Sequence, residues 1–324
     1  MKAIVTGAAG FIGFSTTKEL LQQGFQVIGL DNLNNYYSPQ LKNARLHEIG
    51  DHPCFRFIKA DISDETELDQ AVGKEKNVDV IVHLAAQAGV RYSIENPSAY
   101  VNANVEGTVR IFEQALKFSP CPPVVYASSS SVYGANRKVP FSESDRVDHP
   151  VSVYAATKRA GELLAYSYAH VYKLKTTGLR FFTVYGPWGR PDMAPWLFTD
   201  AILSRRVIKL FNYGRMQRDF TYIDDIVDGV VAVVKKVIKE PQKVADIYNL
   251  GNNEPVELAE FVATIERATG NKALTELCPM PPGDVEKTYA DISLAERDFS
   301  FHPKVSISQG IGKFVDWFKH YRGQ

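Results

Sequence analysis

Residues 1–13 read MKAIVTGAAGFIG. Ala3 to Val5 is a short apolar, β-prone run, and Gly7, Gly10 and Gly13 follow at a three-residue spacing. After Gly13 the pattern turns helical, through Leu20 and Leu21 to a stop at Gly24. Strand, tight glycine turn and helix in that order suit an anion. Glycine lets the backbone turn sharply and approach a phosphate without a Cβ in the way, and the helix N-terminus aims unpaired N–H groups at it. A glycine trio alone is a weak signal, and an ordinary βα turn reads the same way. The following stretch favours a dinucleotide, because a second apolar strand, Gln26 to Leu30, ends in Asp31 within one short βαβ unit. An acid at that strand end can accept both ribose hydroxyls of NAD and would repel a 2′-phosphate.

Composition bounds the rest. The 324 residues carry 37 basic and 37 acidic side chains, a formal net charge of zero, so neither nucleic acid nor an anionic membrane is an expected partner. The length fits one large domain or two modest ones. No apolar run is long enough to span a bilayer, and a strand begins too near Met1 to leave room for a signal peptide, so the expected location is cytoplasmic. Cys54, Cys121 and Cys278 are scattered and are expected to be reduced and buried. Neither they nor the seven histidines show metal-ligand spacing, so no metal is expected.

Working outward, NLNNYYSPQ after Asp31 is turn-rich and leads to a predicted helix over Gln40 to Glu48. Phe55 to Lys59 reads as a strand running up to Asp61-Ile62, which either meets an adenine edge or caps a turn. Val78 to Leu84 is a continuous apolar strand followed by AAQAG, whose small residues leave ligand space at the sheet's carboxyl edge; Arg91 follows. Val101, Val105, Val109, Phe112 and Leu116 make a helical stripe, with Asn102 and Asn104 on its other sides. The strand Val124 to Tyr126 gives way to Ser128, Ser129, Ser130 and Ser131, which either meet a ligand or cap a turn.

The helix starting near Val153 opens with Tyr154, and Lys158 lies four residues on, on the same face. A free phenol has a pKa near ~10. A neighbouring ammonium and a cationic nicotinamide favour the phenolate, making Tyr154 a candidate general base. A surface Tyr/Lys pair is the other reading. Thr176 to Phe182 is a further strand, and the proline- and glycine-rich run from Gly186 to Pro195 predicts a boundary. Helices over Trp196 to Ser204, Ile226 to Lys239, Leu258 to Thr269 and Ile307 to Tyr321 alternate with short strands at Val207 to Phe211, Thr221 to Ile223 and Ile247 to Leu250. The expected fold is α/β, a doubly wound parallel sheet over 1–185 that binds the cofactor, with a smaller α+β lobe over 186–324 that covers the strand edge and binds substrate.

TGAAGFIG, HLAA, the serine-rich strand end, YAATK and RDFTYIDD together resemble the extended short-chain dehydrogenase/reductases, in their sugar-nucleotide epimerase branch, over essentially the whole chain. Within that branch, DNLNNYYSPQLKNARL, HLAAQAGVRYSIENP, YASSSSVYG and RFFTVYGPWGRPDMA are similar to the UDP-glucuronate 4-epimerases. The resemblance implies a Rossmann fold, NAD as cofactor, a UDP-sugar substrate, and a homodimer pairing helices near Ser98 to Phe118 and Val153 to Tyr172. It implies Ser129, Tyr154 and Lys158 as the catalytic set, with Ser131 and Thr183 near the sugar. NAD would be held by Gly7, Gly10, Phe11, Ile12, Gly13, Asp31, Asn32, Asp61, Ile62, Leu84, Ala85 and Ala86, with Tyr154 and Lys158. Arg218 would meet the UDP phosphates and Asp284 the uridine ribose; Pro282 stands where related glucose epimerases carry an arginine.

The implied reaction removes hydride from C4, turns the 4-keto sugar over, and returns hydride to the opposite face. A glucuronate oxidised at C4 is a β-keto acid that can lose carbon dioxide, so its carboxylate must be gripped. A bidentate arginine suits that task, with Arg190 the first candidate and Arg91 the second. Competing readings are a 4-epimerase of neutral UDP-glucose or UDP-N-acetylglucosamine, a UDP-glucuronate decarboxylase, and a non-catalytic NAD-sensing or scaffold protein on the same fold.

Overall fold

Seven strands, β1 (Lys2–Thr6), β2 (Gln26–Asp31), β3 (Phe55–Lys59), β4 (Val80–His83), β5 (Val124–Ser129), β6 (Thr176–Phe181) and β7 (Ala245–Leu250), form one parallel sheet in the order β7-β6-β5-β4-β1-β2-β3. The computed structural model describes residues 1–240, 245–280 and 285–323. Ala3, Val5, Val80, Val82, Val124 and Val125 are fully buried, which is why these strands read as continuous apolar runs: a doubly wound sheet covers both faces. Strand order reverses between β1 and β4, and a crevice opens there at the carboxyl ends. The expected doubly wound α/β architecture is the one observed.

The break expected at 185/186 does not divide this sheet. β7 comes from the later segment and pairs with β6, Tyr248 opposite Leu179. The valine-rich helix Ile223–Lys239 also returns, packing against helix Phe11–Gln22 beneath the sheet. Prolines and glycines interrupt local structure, but they do not decide which sheet a later strand joins. The rest of the late segment forms a small lobe. It holds a sheet of Thr183–Tyr185, Gln217–Tyr222 and Pro255–Glu257, a pair Val207–Leu210 with Leu274–Leu277, and helices Ala194–Leu203, Leu258–Thr269 and Ile307–Tyr321.

Two other expectations are corrected. The helical stripe through Val101, Val105, Val109, Phe112 and Leu116 is only partly the buried one: Phe112 is buried, but Val101 is 51 % exposed and Val105, Val109 and Leu116 are half-buried, while Asn104, Thr108 and Ile111 are buried. A π-helical turn over Val101–Glu106 inserts an extra residue before Gly107–Lys117 and rotates the following face. The cysteines are free, but none is buried; Cys121 is exposed and the other two half-buried. Among the described residues no helix is long and apolar enough to cross a membrane, and no group of histidine, cysteine and acidic side chains has metal-binding geometry. Asp284 and Pro282 lie outside the described residues.

Candidate active site

A cleft of about 790 Å³ runs along the carboxyl ends of the strands, between the sheet and the small lobe. Its floor is the glycine turn. Gly7 has φ +73°, and a Cβ there would lie 2.7 Å from the Ala85 nitrogen. A Cβ on Gly13 would lie 2.0 Å from the Gly7 carbonyl oxygen, so a side chain at either position would fill the cradle or break the turn. Asp31 closes one end, accepting from the backbone N–H of Ala9 at 3.2 Å and of Leu33 at 2.8 Å. Asn32 donates to Asp61 at 2.9 Å, joining the loops after β2 and β3. Phe11, Ile12, Ile62, Leu84, Ala85 and Ala86 line the same cleft. An anion cradle free of Cβ atoms, with a carboxylate beyond it, fits a dinucleotide whose ribose carries no phosphate.

Alternation along β5 splits the serine cluster. The Ser128 hydroxyl donates to buried Glu162 at 2.6 Å; Glu162 also accepts from Arg180 at 2.8 and 2.9 Å and from Arg159 at 3.0 Å. Ser129 lines the cleft, where its Oγ caps the next turn by accepting from the Ser131 N–H at 3.1 Å and hydrogen-bonds Tyr154. Helix Val153–Tyr172 starts at Ser152, whose hydroxyl accepts from the Ala155 N–H at 3.1 Å, so Tyr154 stands in the first turn. Burial pushes the Tyr154 pKa up, while the Ser129 hydrogen bond and the nearby Arg190 charge pull it down. Lys158, 8 % exposed, turns its ammonium onto the Ala127 carbonyl at 3.0 Å, and burial pulls its pKa down to about 8. The net shift of the phenol is upward, and the Arg190 charge offsets only part of the effect of burial.

Arg190 lines the cleft, its Nε and Nη2 donating to the two oxygens of Asp192 at 3.0 and 2.6 Å. Tyr36, from across the cleft, donates to the same carboxylate at 2.9 Å. Arg91 also lines the cleft, its guanidinium 4.6 Å from the centre of the Phe211 ring. Ser131 and Thr183 line the wall near Ser129, and Arg218 lines it from the small lobe, donating to the carbonyls of Gln217 at 2.9 Å and Glu286 at 3.1 Å.

Three residues at or around the site were missed. Asn104 accepts from the Gln87 N–H at 2.7 Å and donates to the Gln87 carbonyl and the Thr157 hydroxyl, both at 3.0 Å, so it ties the small-residue loop to helix Val153–Tyr172. Lys42 approaches Asp31 to 3.6 Å, and Arg45 beside it is fully buried. All three are single polar residues on helices, and the sequence carries no spacing that marks them. His83 is buried between Thr6 at 2.8 Å and Thr108 at 3.2 Å. Burial, with the Lys158 charge, pulls its pKa down to about 3, so it stays neutral.

The chain belongs to the NAD dependent epimerase/dehydratase family, whose model matches residues 3–251. It is 51 % identical over 317 residues to an uncharacterised protein of Methanocaldococcus jannaschii, covering 97 % of this chain and 95 % of that one. It is 45 % identical to a probable UDP-glucuronate 4-epimerase of Rhizobium meliloti, covering 99 % and 98 %. Among solved structures it resembles UDP-glucuronic acid 4-epimerase of Bacillus cereus, crystallised with UDP-glucuronic acid and NAD, at 33 % identity and a TM-score of 0.89 over 99 % of this chain and 100 % of that one.

Proposed function

We propose that this protein is a UDP-glucuronate 4-epimerase, interconverting UDP-glucuronate and UDP-galacturonate through a 4-keto sugar. The observation that carries the reading is the convergence of Ser129, Tyr154 and Lys158 on one cleft with Arg190, whose charge reaches the Tyr154 phenol. The names of the Rhizobium and Bacillus relatives support the same substrate. NAD, held by the glycine turn, Asp31 and the loops after β3 and β4, supplies the acceptor and donor of the C4 hydride. Tyr154 takes the 4-hydroxyl proton and later returns it; Ser129 donates a hydrogen bond to the sugar oxygen and so steadies it as charge develops. Lys158 holds the cofactor ribose. Arg190 grips the substrate carboxylate, keeping the C5–C6 bond out of line with the ketone. With Nε and Nη2 engaged by Asp192, that carboxylate meets Nη1 or displaces Asp192. Arg218 and Asp284 bind the UDP portion, which makes 186–324 the substrate segment.

The test is an NMR time course with UDP-glucuronate, in which the C4 epimer should accumulate. Tyr154→Phe should lower turnover about 10²–10⁴-fold with the cofactor still bound. Faster turnover of UDP-glucose than of UDP-glucuronate, or an active phenylalanine variant, would overturn the proposal.

A cytoplasmic homodimer completes the reading. Leu163, Tyr166, Val171 and Tyr172 on helix Val153–Tyr172, and Val101 on the neighbouring helix, are between 51 % and 68 % exposed, an apolar surface suited to a second copy of the same two helices. Sedimentation should give a dimer that Leu163→Glu with Tyr166→Glu converts to a monomer; a wild-type monomer would remove the dimer.

A further inference from the structure

Arg45 is fully buried, yet among the described residues no carboxylate pairs with it. An arginine has five N–H donors, and all are used here. Nη1 donates to the Ala9 carbonyl at 2.9 Å and the Tyr37 hydroxyl at 2.7 Å. Nε and Nη2 both reach the Trp188 carbonyl, at 3.1 and 2.6 Å, and Nη2 also reaches the Gly189 carbonyl at 3.3 Å. One planar fork therefore bridges the glycine turn of the cofactor cradle and the loop just before Arg190.

That loop needs holding. Trp188 has φ +65°, a left-handed conformation that is costly for an aromatic residue. Its carbonyl is the one that takes two arginine N–H groups, and its ring is packed by Phe14, Trp317 and Tyr321 at centroid distances of 5.7, 5.3 and 5.8 Å. Without the fork, the strained turn could relax toward ordinary backbone angles and shift Arg190, two residues on.

We propose that Arg45 is a positioning residue: it locks the 186–190 loop to the cofactor turn and so fixes where Arg190 meets the substrate carboxylate. The second half of that statement rests on the carboxylate-gripping role of Arg190 given above. Lysine cannot replace the fork, because a single ammonium has three donors at one point and cannot span carbonyls on both sides.

The test compares NAD-loaded wild type with Arg45→Lys, and with Tyr37→Phe as a milder variant that removes one of the five bonds and decides the matter if the first does not fold. Two readouts are used. Amide hydrogen exchange over 186–190 should quicken at least tenfold in Arg45→Lys, and less in Tyr37→Phe, while β1 and β5 exchange as in wild type. Equal exchange of that loop overturns the proposal whatever the substrate is. The second readout is carbon dioxide released per epimer formed. Once C4 is a ketone, the C5–C6 bond can break; carbon dioxide leaves, the electron pair stays on C5 as an enolate, and water protonates it, leaving a UDP-4-keto-pentose. This ratio is unaffected by loss of folded enzyme. It should rise severalfold in Arg45→Lys with a raised KM. If it rises in Arg190→Ala but not in Arg45→Lys, the positioning role fails and the function stands. If wild type forms no epimer, the function fails, and the exchange result alone judges the lock.

Discussion

Replacing Lys158 by methionine should make the protein, measured without added dinucleotide, more stable while abolishing the activity of the NAD-loaded enzyme. The ammonium is 8 % exposed, and burial pulls its pKa from 10.5 to about 8. At 1.36 kcal/mol per pKa unit, holding that charge inside costs the folded state about 3 kcal/mol at pH 7. Methionine has similar length and no charge, but it forfeits the hydrogen bond to the Ala127 carbonyl, worth about 1 kcal/mol. The expected net gain is about 2 kcal/mol, read from paired urea titrations. The pH dependence carries the sign. Because the folded pKa lies below the unfolded one, the penalty is complete below pH 8 and disappears as the pH rises toward 10.5. Wild type should therefore close the gap on the variant between those values. A variant less stable than wild type at pH 7, or a gap that stays constant from pH 7 to 10, would refute the reasoning.

Two further outcomes follow from the same geometry. Gly13→Ala places a methyl group 2.0 Å from the Gly7 carbonyl oxygen, and neither atom sits on a flexible side chain. NAD affinity measured by calorimetry should fall by about 100-fold, ~3 kcal/mol, or more. Glu162→Gln leaves buried Arg180 facing a neutral amide, at an expected cost of about 3–5 kcal/mol in denaturant midpoint analysis. Burial pushes the Glu162 pKa up, but the hydrogen bond and charge of Arg180 outweigh it and hold it below the usual carboxylate range. The ion pair thus stabilises the protein above that range and is lost on acidification, so the variant should show a shallower acid limb.

Much of this architecture can be read from side-chain pattern alone, because a sheet covered on both faces demands uninterrupted apolar strands. β1, β2, β4 and β5 follow from that demand, whereas β3, FRFIK, is an edge strand with no buried residue and is legible from its alternation. Tyr154 and Lys158 are legible for a similar reason: two residues four apart on a helix share a face whatever surrounds them. What escapes is whatever depends on a partner distant in sequence. The pairing of β7 with β6, the hydrogen bond from Tyr36 to Asp192, and the backbone carbonyls around Arg45 are settled only in three dimensions. Leu274–Leu277 escapes for another reason: all four residues are exposed, so no alternation marks the strand. The π-helical turn at 101–106 shifts a helical stripe by one residue, and any reading at a fixed 3.6-residue period fails across it.

The late return of β7 has a consequence for how the chain is made. A nascent polypeptide that has emerged only to residue 185 has six strands, and the side of the sheet later covered by Val230, Val233 and Val234 is still open to water. Those valines leave the ribosome first, and the last strand some sixty residues after residue 185, about three to twelve seconds at ordinary translation speeds. Over that interval the half-made product is a natural client for chaperones, and cutting the gene at the proline-rich loop would leave it in that condition permanently.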